Sequence, residues 1–195
     1  MAANASWLPA QPYNCMPMTH PGQKLLMRML GGGSDPHPFH HHGNHSRIIA
    51  RDARLLQSPG GAGADLSQMV FTLQVTPGGT MDAVWSWSGE KLGWDVYGHT
   101  STNQPLAPGE YAGDHGKPLP TQIPTDMELT YGQMYGGSPF LGGMGALPPG
   151  QGGFNPAGGF MFMWHSHAEK EIVNNDLFPG GMLTMGMVEP WPTTP

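Results

Sequence analysis

The chain reads as an all-β protein, an antiparallel sandwich or barrel, on three observations. Its apolar runs are short and punctuated by Gly and Pro. No i, i+3, i+4 pattern persists beyond about two turns. Several runs instead alternate with the period of two that half-buries a strand.

Taken in order, Lys24–Leu30 is an apolar run closed by Gly31-Gly32-Gly33-Ser34. A histidine-rich stretch follows, His37-Pro-Phe-His40-His41-His42-Gly-Asn-His45, and Ser46–Arg51 leaves it directly as a second candidate strand. Gln68–Val75 alternates and is turned by Thr76-Pro77-Gly78-Gly79, after which Thr80–Trp87 runs on. Gly159–His165 leads into a second histidine cluster, Trp164-His165-Ser166-His167, and Met182–Val188 closes the set. From Ser88 to Gly158 lies a loop-rich insertion that ends in a Gly/Met/Pro stretch from Tyr131 to Ala157. Loops of that length are functional or mobile. The expected organisation is a linker-like segment over 1–20, one domain over 21–190 with its insertion at about 88–158, and a tail over 191–195.

Composition narrows the function classes. The chain has 195 residues, enough for one good-sized β domain, and 38% hydrophobic residues with six Trp support a packed core. Charged residues are 11% of the chain and the net charge is −6. With no cluster of Lys or Arg, a nucleic-acid surface is not expected. No apolar run approaches the ~18 residues that span a bilayer. The start, MAANASWLPAQPY, lacks the basic and apolar regions of a signal peptide, which fits an intracellular protein, a mature form or an excised piece. Cys15 is the single cysteine, so no internal disulfide forms.

The histidines carry the chemistry. In a strand, residues i and i+2 share a face, so His40 with His42 and His165 with His167 make two imidazole pairs. Imidazole is the commonest protein ligand for copper, zinc and iron at neutral pH. Four nitrogens brought together by a sheet suit a metal, and an isolated set of histidines does not choose between copper and zinc. A surface polyhistidine run and a vestigial site without metal are the bland alternatives. His41 and His45 fall on alternate or turn positions and are expected as supporting or solvent-facing residues. Ser166 between two histidines invites a hydrolase reading, but alternation turns its side chain away from both imidazoles, and no G-x-S-x-G elbow is present.

The order strand, PHPFHHHGNH, strand, long interval, FMFMWHSHAEKE, GGMLTM resembles the last cupredoxin domain of multicopper oxidases, the laccase-like family. The likeness runs from about Pro21 to Pro190, without most of the insertion. It implies a Greek-key cupredoxin-like β-sandwich and copper as cofactor, with zinc as the alternative. By resemblance, His40, His42, His165 and His167 take the positions of trinuclear-cluster ligands, and His37 that of a type 1 copper ligand. In the family's second motif a Cys and a later His complete the type 1 site, and here those positions hold Ser166 and Glu171. A blue-copper centre needs a thiolate with two His. His37, even with Met182 or Met185 as an axial thioether, leaves that site unformed. Glu169-Lys170-Glu171 is expected as a solvated turn, with Glu171 and His37 as an alternative pair for a hard cation.

The family's cluster needs eight His, four from each of two domains. His20, His99 and His115 form no further His-x-His pair, so this chain supplies at most half of the site. The resemblance therefore implies a second cupredoxin domain or an oligomer as partner, oxidation with dioxygen as acceptor only when that half is supplied, and an extracellular or periplasmic location. The alternative is a non-catalytic copper- or zinc-binding structural module. The chain also holds 15 Met. Met161, Met163, Met182, Met185 and Met187 are expected in the core, and Met127, Met134 and Met144 of the insertion are too widely spaced for a copper site. Trp85, Trp87, Trp94 and Trp164 are expected to pack the sandwich or shield the sites.

Overall fold

A computed structural model describes residues 16–122, 137–139 and 152–191. Cys15, the linker-like Ala5–Tyr13, and Met127, Met134 and Met144 lie outside the described residues. The described chain is all-β, with one short 3-10 turn at Glu169–Ile172. Its strands are β1 (Met18–Thr19), β2 (Lys24–Leu30), β3 (His37–His41), β4 (Ser46–Arg51), β5 (Arg54–Leu55), β6 (Gln68–Val70), β7 (Thr72–Val75), β8 (Thr80–Ser86), β9 (Gly137–Pro139), β10 (Phe160–Ser166) and β11 (Leu183–Val188). They form two sheets. One has the order β1-β11-β10-β3-β7, with β9 also paired to β10. The other has the order β2-β8-β4-β5, with β6 also paired to β4. Pairing is antiparallel except between β1 and β11, which run parallel. β1 falls in the last part of the stretch read as linker-like and is laddered to β11.

Alternation decides what each strand buries. Met81, Ala83 and Trp85 of β8 turn inward, as do Phe160, Phe162 and Trp164 of β10. Aromatic rings from the two sheets meet edge to face, Trp85 on Trp164 at 5.2 Å and Trp87 on Phe162 at 5.1 Å between centroids. Ile48, Leu73 and Val75 extend the core beside Met81. The insertion also contributes at its start, because Leu92, Trp94, Val96 and Tyr97 pack into the same apolar cluster as Trp85 and Phe162.

Two expectations need correction. Gln68–Val75 is not one strand: β6 pairs with β4 in one sheet and β7 with β3 in the other. The break is Phe71, whose carbonyl accepts from the His41 imidazole at 2.9 Å and whose side chain stands 45% exposed. The methionines are the second. Met163 and Met161 lie half-buried on the outward face of β10, and Met185 is half-buried opposite Met163. Met182 is 42% exposed at the turn before β11, and only Met187 of the five is buried. The inward positions of β10 are already filled by Phe160, Phe162 and Trp164, and alternation sends their neighbours out.

Candidate metal centre

β3 and β10 are neighbours in the first sheet, with Phe39 opposite Ser166, His40 opposite His165 and His41 opposite Trp164. Cross-strand partners share a face, so one register assigns both histidine motifs. His41 joins Trp164 on the inward side, while His40, His165 and, two residues on, His42 and His167 stand on the other. The turn after β3 is pinned to β10 by the Trp164 indole, which donates to the His42 carbonyl at 3.3 Å. Gly43 makes that turn possible. Its φ is +100°, and a Cβ there would sit 3.0 Å from the Phe162 ring.

The four imidazoles form one outward cluster. His42 Nε2 and His165 Nε2 are 3.3 Å apart. A ring nitrogen of His40 belongs to the same group, all three ligand atoms lying within 4.8 Å of one another. The His167 ring stands beside them, 5.1 Å from His40 and 5.5 Å from His165 between centroids, but it is exposed and its nitrogens are not part of that 4.8 Å group.

The supporting contacts suit metal. The His165 Nδ1–H donates to the Ser166 carbonyl at 2.7 Å, which leaves the Nε2 lone pair facing His42. His40 Nδ1 lies 2.9 Å from the Thr72 hydroxyl, so with its proton there, Nε2 is likewise available. Without metal, His42 Nε2–H donates to His165. With one, both lone pairs turn to the ion, and two nitrogens on a tetrahedral ion at ~2.0–2.1 Å stand about 3.3 Å apart. Burial first, and then the fields of His42, His165 and His167, lower the His40 pKa to about 4. The imidazole is therefore neutral at neutral pH, the form that binds metal.

The neighbouring histidines have other employment. His41 is fully buried, donates Nδ1–H to the Phe71 carbonyl and accepts at Nε2 from the Ser46 hydroxyl. It is a core histidine, not a solvent-facing one. Burial, outweighing the Phe71 hydrogen bond, lowers its pKa to about 4. His45 packs on the Phe71 ring at 5.1 Å, and His20 stacks on Trp191 at 4.5 Å.

His37, Ser166 and Glu171, the three positions that the resemblance groups together, also meet. Glu171 is not a solvated turn residue: Oε1 lies 3.0 Å from His37 Nδ1, and Oε2 accepts from the Ser166 hydroxyl. Ser166 is 2% exposed, and its oxygen also accepts the Ala168 N–H at 3.2 Å. The order is Ser–Glu–His, with the carboxylate in the middle. No imidazole reaches the serine to act as its base, so the set is not a nucleophilic triad.

No protein-family model and no curated protein sequence matches the chain. Two solved structures are similar to it in fold. One is a blue copper oxidase from Nitrosomonas europaea, with a TM-score of 0.43 and 16% identity, covering 89% of this chain and 30% of its own. The other is the multicopper oxidase mgLAC, with a TM-score of 0.39 and 13% identity, covering 94% of this chain and 33% of its own. Both are named copper oxidases. The chain spans about a third of the length of either.

A second group was not legible as a motif. Asp95, His99, Glu110 and His115 converge within the insertion, each offering one ligand atom within 4.8 Å of the others. His99 and His115, which make no pair in sequence, lie 4.6 Å apart between ring centroids. The signal available was an acid four or five residues before each histidine, Asp95 to His99 and Glu110 to His115, in a stretch poor in charge.

Proposed function

We propose that the chain is a multicopper-oxidase-type copper-binding domain whose outward histidines supply half of a trinuclear copper site in a larger oxidoreductase or assembly. One observation carries this: nitrogens of His40, His42 and His165 converge on the outward face of one sheet, with a 3.3 Å approach between His42 and His165. His167, beside them, is the fourth ligand after a small turn of its ring. The motif order supplies the preference for copper over zinc. Three or four imidazoles on an open face leave coppers short of ligands, so the remaining half comes from another cupredoxin domain or chain seated on that face. A copper-exchanging protein of this class is placed outside the cell or in the periplasm.

The second reading, a non-catalytic copper-binding module, is favoured by one specific feature. The Ser166–Glu171–His37 network stands at the positions that the sequence resemblance assigns to a type 1 site and offers no thiolate, which would close the usual electron entry. The two readings part in one experiment. The copper-loaded chain alone is expected to consume no dioxygen with a phenol or a metal ion as reductant. The same chain joined to its completing domain is expected to do so and to show the near-ultraviolet band of coupled coppers. Turnover by the isolated monomer refutes the half-site, and no turnover with the completing domain leaves the module reading.

A further inference from the structure

The insertion contains a buried four-ligand cluster far in sequence from the outward histidines. Its first half is Asp95 and His99 in Trp94-Asp-Val-Tyr-Gly-His99, and its second is Glu110 and His115 in Glu110-Tyr-Ala-Gly-Asp-His115. His99 Nδ1 lies 2.9 Å from Asp95 Oδ2 and 3.3 Å from Glu110 Oε1. His115 Nδ1 lies 2.8 Å from Glu110 Oε1 and 3.8 Å from Asp95 Oδ2. A tetrahedral ion with bonds of ~2.0–2.1 Å spaces its ligand atoms about 3.3 Å apart, in the middle of these values.

The environment is that of a closed site. The side chains of Asp95 and Glu110 are 1% and 2% exposed, and those of His99 and His115 10% and 8%. Two buried carboxylates with converging oxygens are costly unless compensated. Each has its remaining capacity met by backbone: Tyr97 N–H donates to Asp95 Oδ1 and Gly116 N–H to Oδ2, both at 2.7 Å, and Ala107 N–H donates to Glu110 Oε2 at 2.8 Å. His115 Nε2–H donates to the Gln104 carbonyl at 2.9 Å, so an ion that replaces the proton Nδ1 shares with Glu110 meets the Nδ1 lone pair facing the cluster. The two negative charges match one divalent cation held by two neutral imidazoles.

We propose that Asp95, His99, Glu110 and His115 bind one divalent transition-metal ion of the zinc class as a structural site. Four protein ligands, nearly full burial and an N/O donor set suit zinc without redox duty. The ion ties the start of the insertion, whose Trp94, Val96 and Tyr97 pack in the main core, to the loop at 104–116. That stretch lies outside any strand, and its ends are joined by the Asp95 N–H on the Lys117 carbonyl at 3.0 Å beside the side chains of the cluster. The site shares no residue with the outward cluster, so either can fail without the other.

The competing arrangement is a network in which protons rather than a metal join the imidazoles to the carboxylates, and metal analysis separates the two. The full chain, purified without added metal and then equilibrated with zinc alone, is measured for zinc in wild type, in the double variant His42→Ala/His165→Ala, and in Glu110→Gln. About one zinc per chain that survives a weak chelator is expected in the first two, and its loss in Glu110→Gln. Cobalt(II) in place of zinc gives the visible absorption of tetrahedral coordination in wild-type protein, a readout that does not depend on a variant folding. A strong chelator lowers the thermal midpoint of the wild type, and zinc restores it. Wild-type protein with no retained zinc, no tetrahedral cobalt spectrum and a chelator-insensitive midpoint overturns the proposal in favour of the protonated network. So does zinc that is lost in His42→Ala/His165→Ala but kept in Glu110→Gln.

Discussion

His41 makes the fold sensitive to acid. It is fully buried, with Nδ1–H on the Phe71 carbonyl and Nε2 on the Ser46 hydroxyl, and burial holds its pKa at about 4 against 6.5 for a free imidazole. The depressed folded value means that the unfolded chain takes up the proton first. The neutral form costs nothing above pH 6.5, and stability is lost as pH falls from there toward 4. The linkage relation gives a loss of about 2 kcal/mol between pH 7 and pH 5 and about 3 kcal/mol by pH 4 from this residue. His40 shifts in the same direction and adds to the loss. The assay is urea denaturation of chelator-treated protein at pH 7 and pH 5, in wild type and His41→Gln. At pH 7 the variant is less stable by about 1 kcal/mol for each hydrogen bond it fails to remake. Between pH 7 and pH 5 the wild type should lose about 2 kcal/mol more than the variant. Equal losses in both would refute the argument that His41 is held neutral by burial.

Four further outcomes follow from the packing and the site. Phe162→Ala empties the centre of the aromatic cluster, where the ring is 0% exposed, and should cost about 3–5 kcal/mol in thermal denaturation. Gly43→Ala combines a φ of +100° with a Cβ 3.0 Å from the Phe162 ring, and should destabilise by about 1–3 kcal/mol on the same assay. Copper-loaded protein should show no intense band near about 600 nm, because that absorption needs a thiolate and Ser166 supplies none. Ser166→Ala should leave copper content unchanged while lowering stability by about 1–3 kcal/mol, since Glu171 loses a buried partner. A blue colour in the wild type would contradict the reading of Ser166.

Strand alternation made the first histidine cluster legible. His40/His42 and His165/His167 needed only the rule that i and i+2 share a face, plus two strands that pair, and His40 stands opposite His165. Lys24–Leu30 was readable as a short apolar run closed by glycines, and Ser46–Arg51 as the segment that leaves the first histidine stretch. Where a tertiary contact overrides local pattern, the sequence was silent. Phe71 leaves its ladder to serve His41, which splits an alternating run between two sheets. Glu171 turns inward because Ser166 and His37 wait there, although its neighbours Glu169 and Lys170 are exposed. Met161, Met163 and Met185 are apolar but lie half-buried on the outward face, and composition alone does not distinguish the two faces of a strand. Asp95, His99, Glu110 and His115 were out of reach because loops, with no period to read, bring them together.

The central claim, that the outward face holds copper through its histidines, is tested most directly by copper(II) binding to the full chain. Equilibrium dialysis with electron paramagnetic resonance, in wild type, His42→Ala, His165→Ala and His20→Ala, reads both affinity and ligand type. The account predicts copper with nitrogen hyperfine structure in the wild type and unchanged in His20→Ala, whose ring is engaged with Trp191 and the Glu189 carbonyl. In His42→Ala and His165→Ala, copper binding should weaken by more than the about 10–100-fold that loss of a mere supporting partner costs. Undiminished nitrogen-coordinated copper in the double variant His42→Ala/His165→Ala would contradict it.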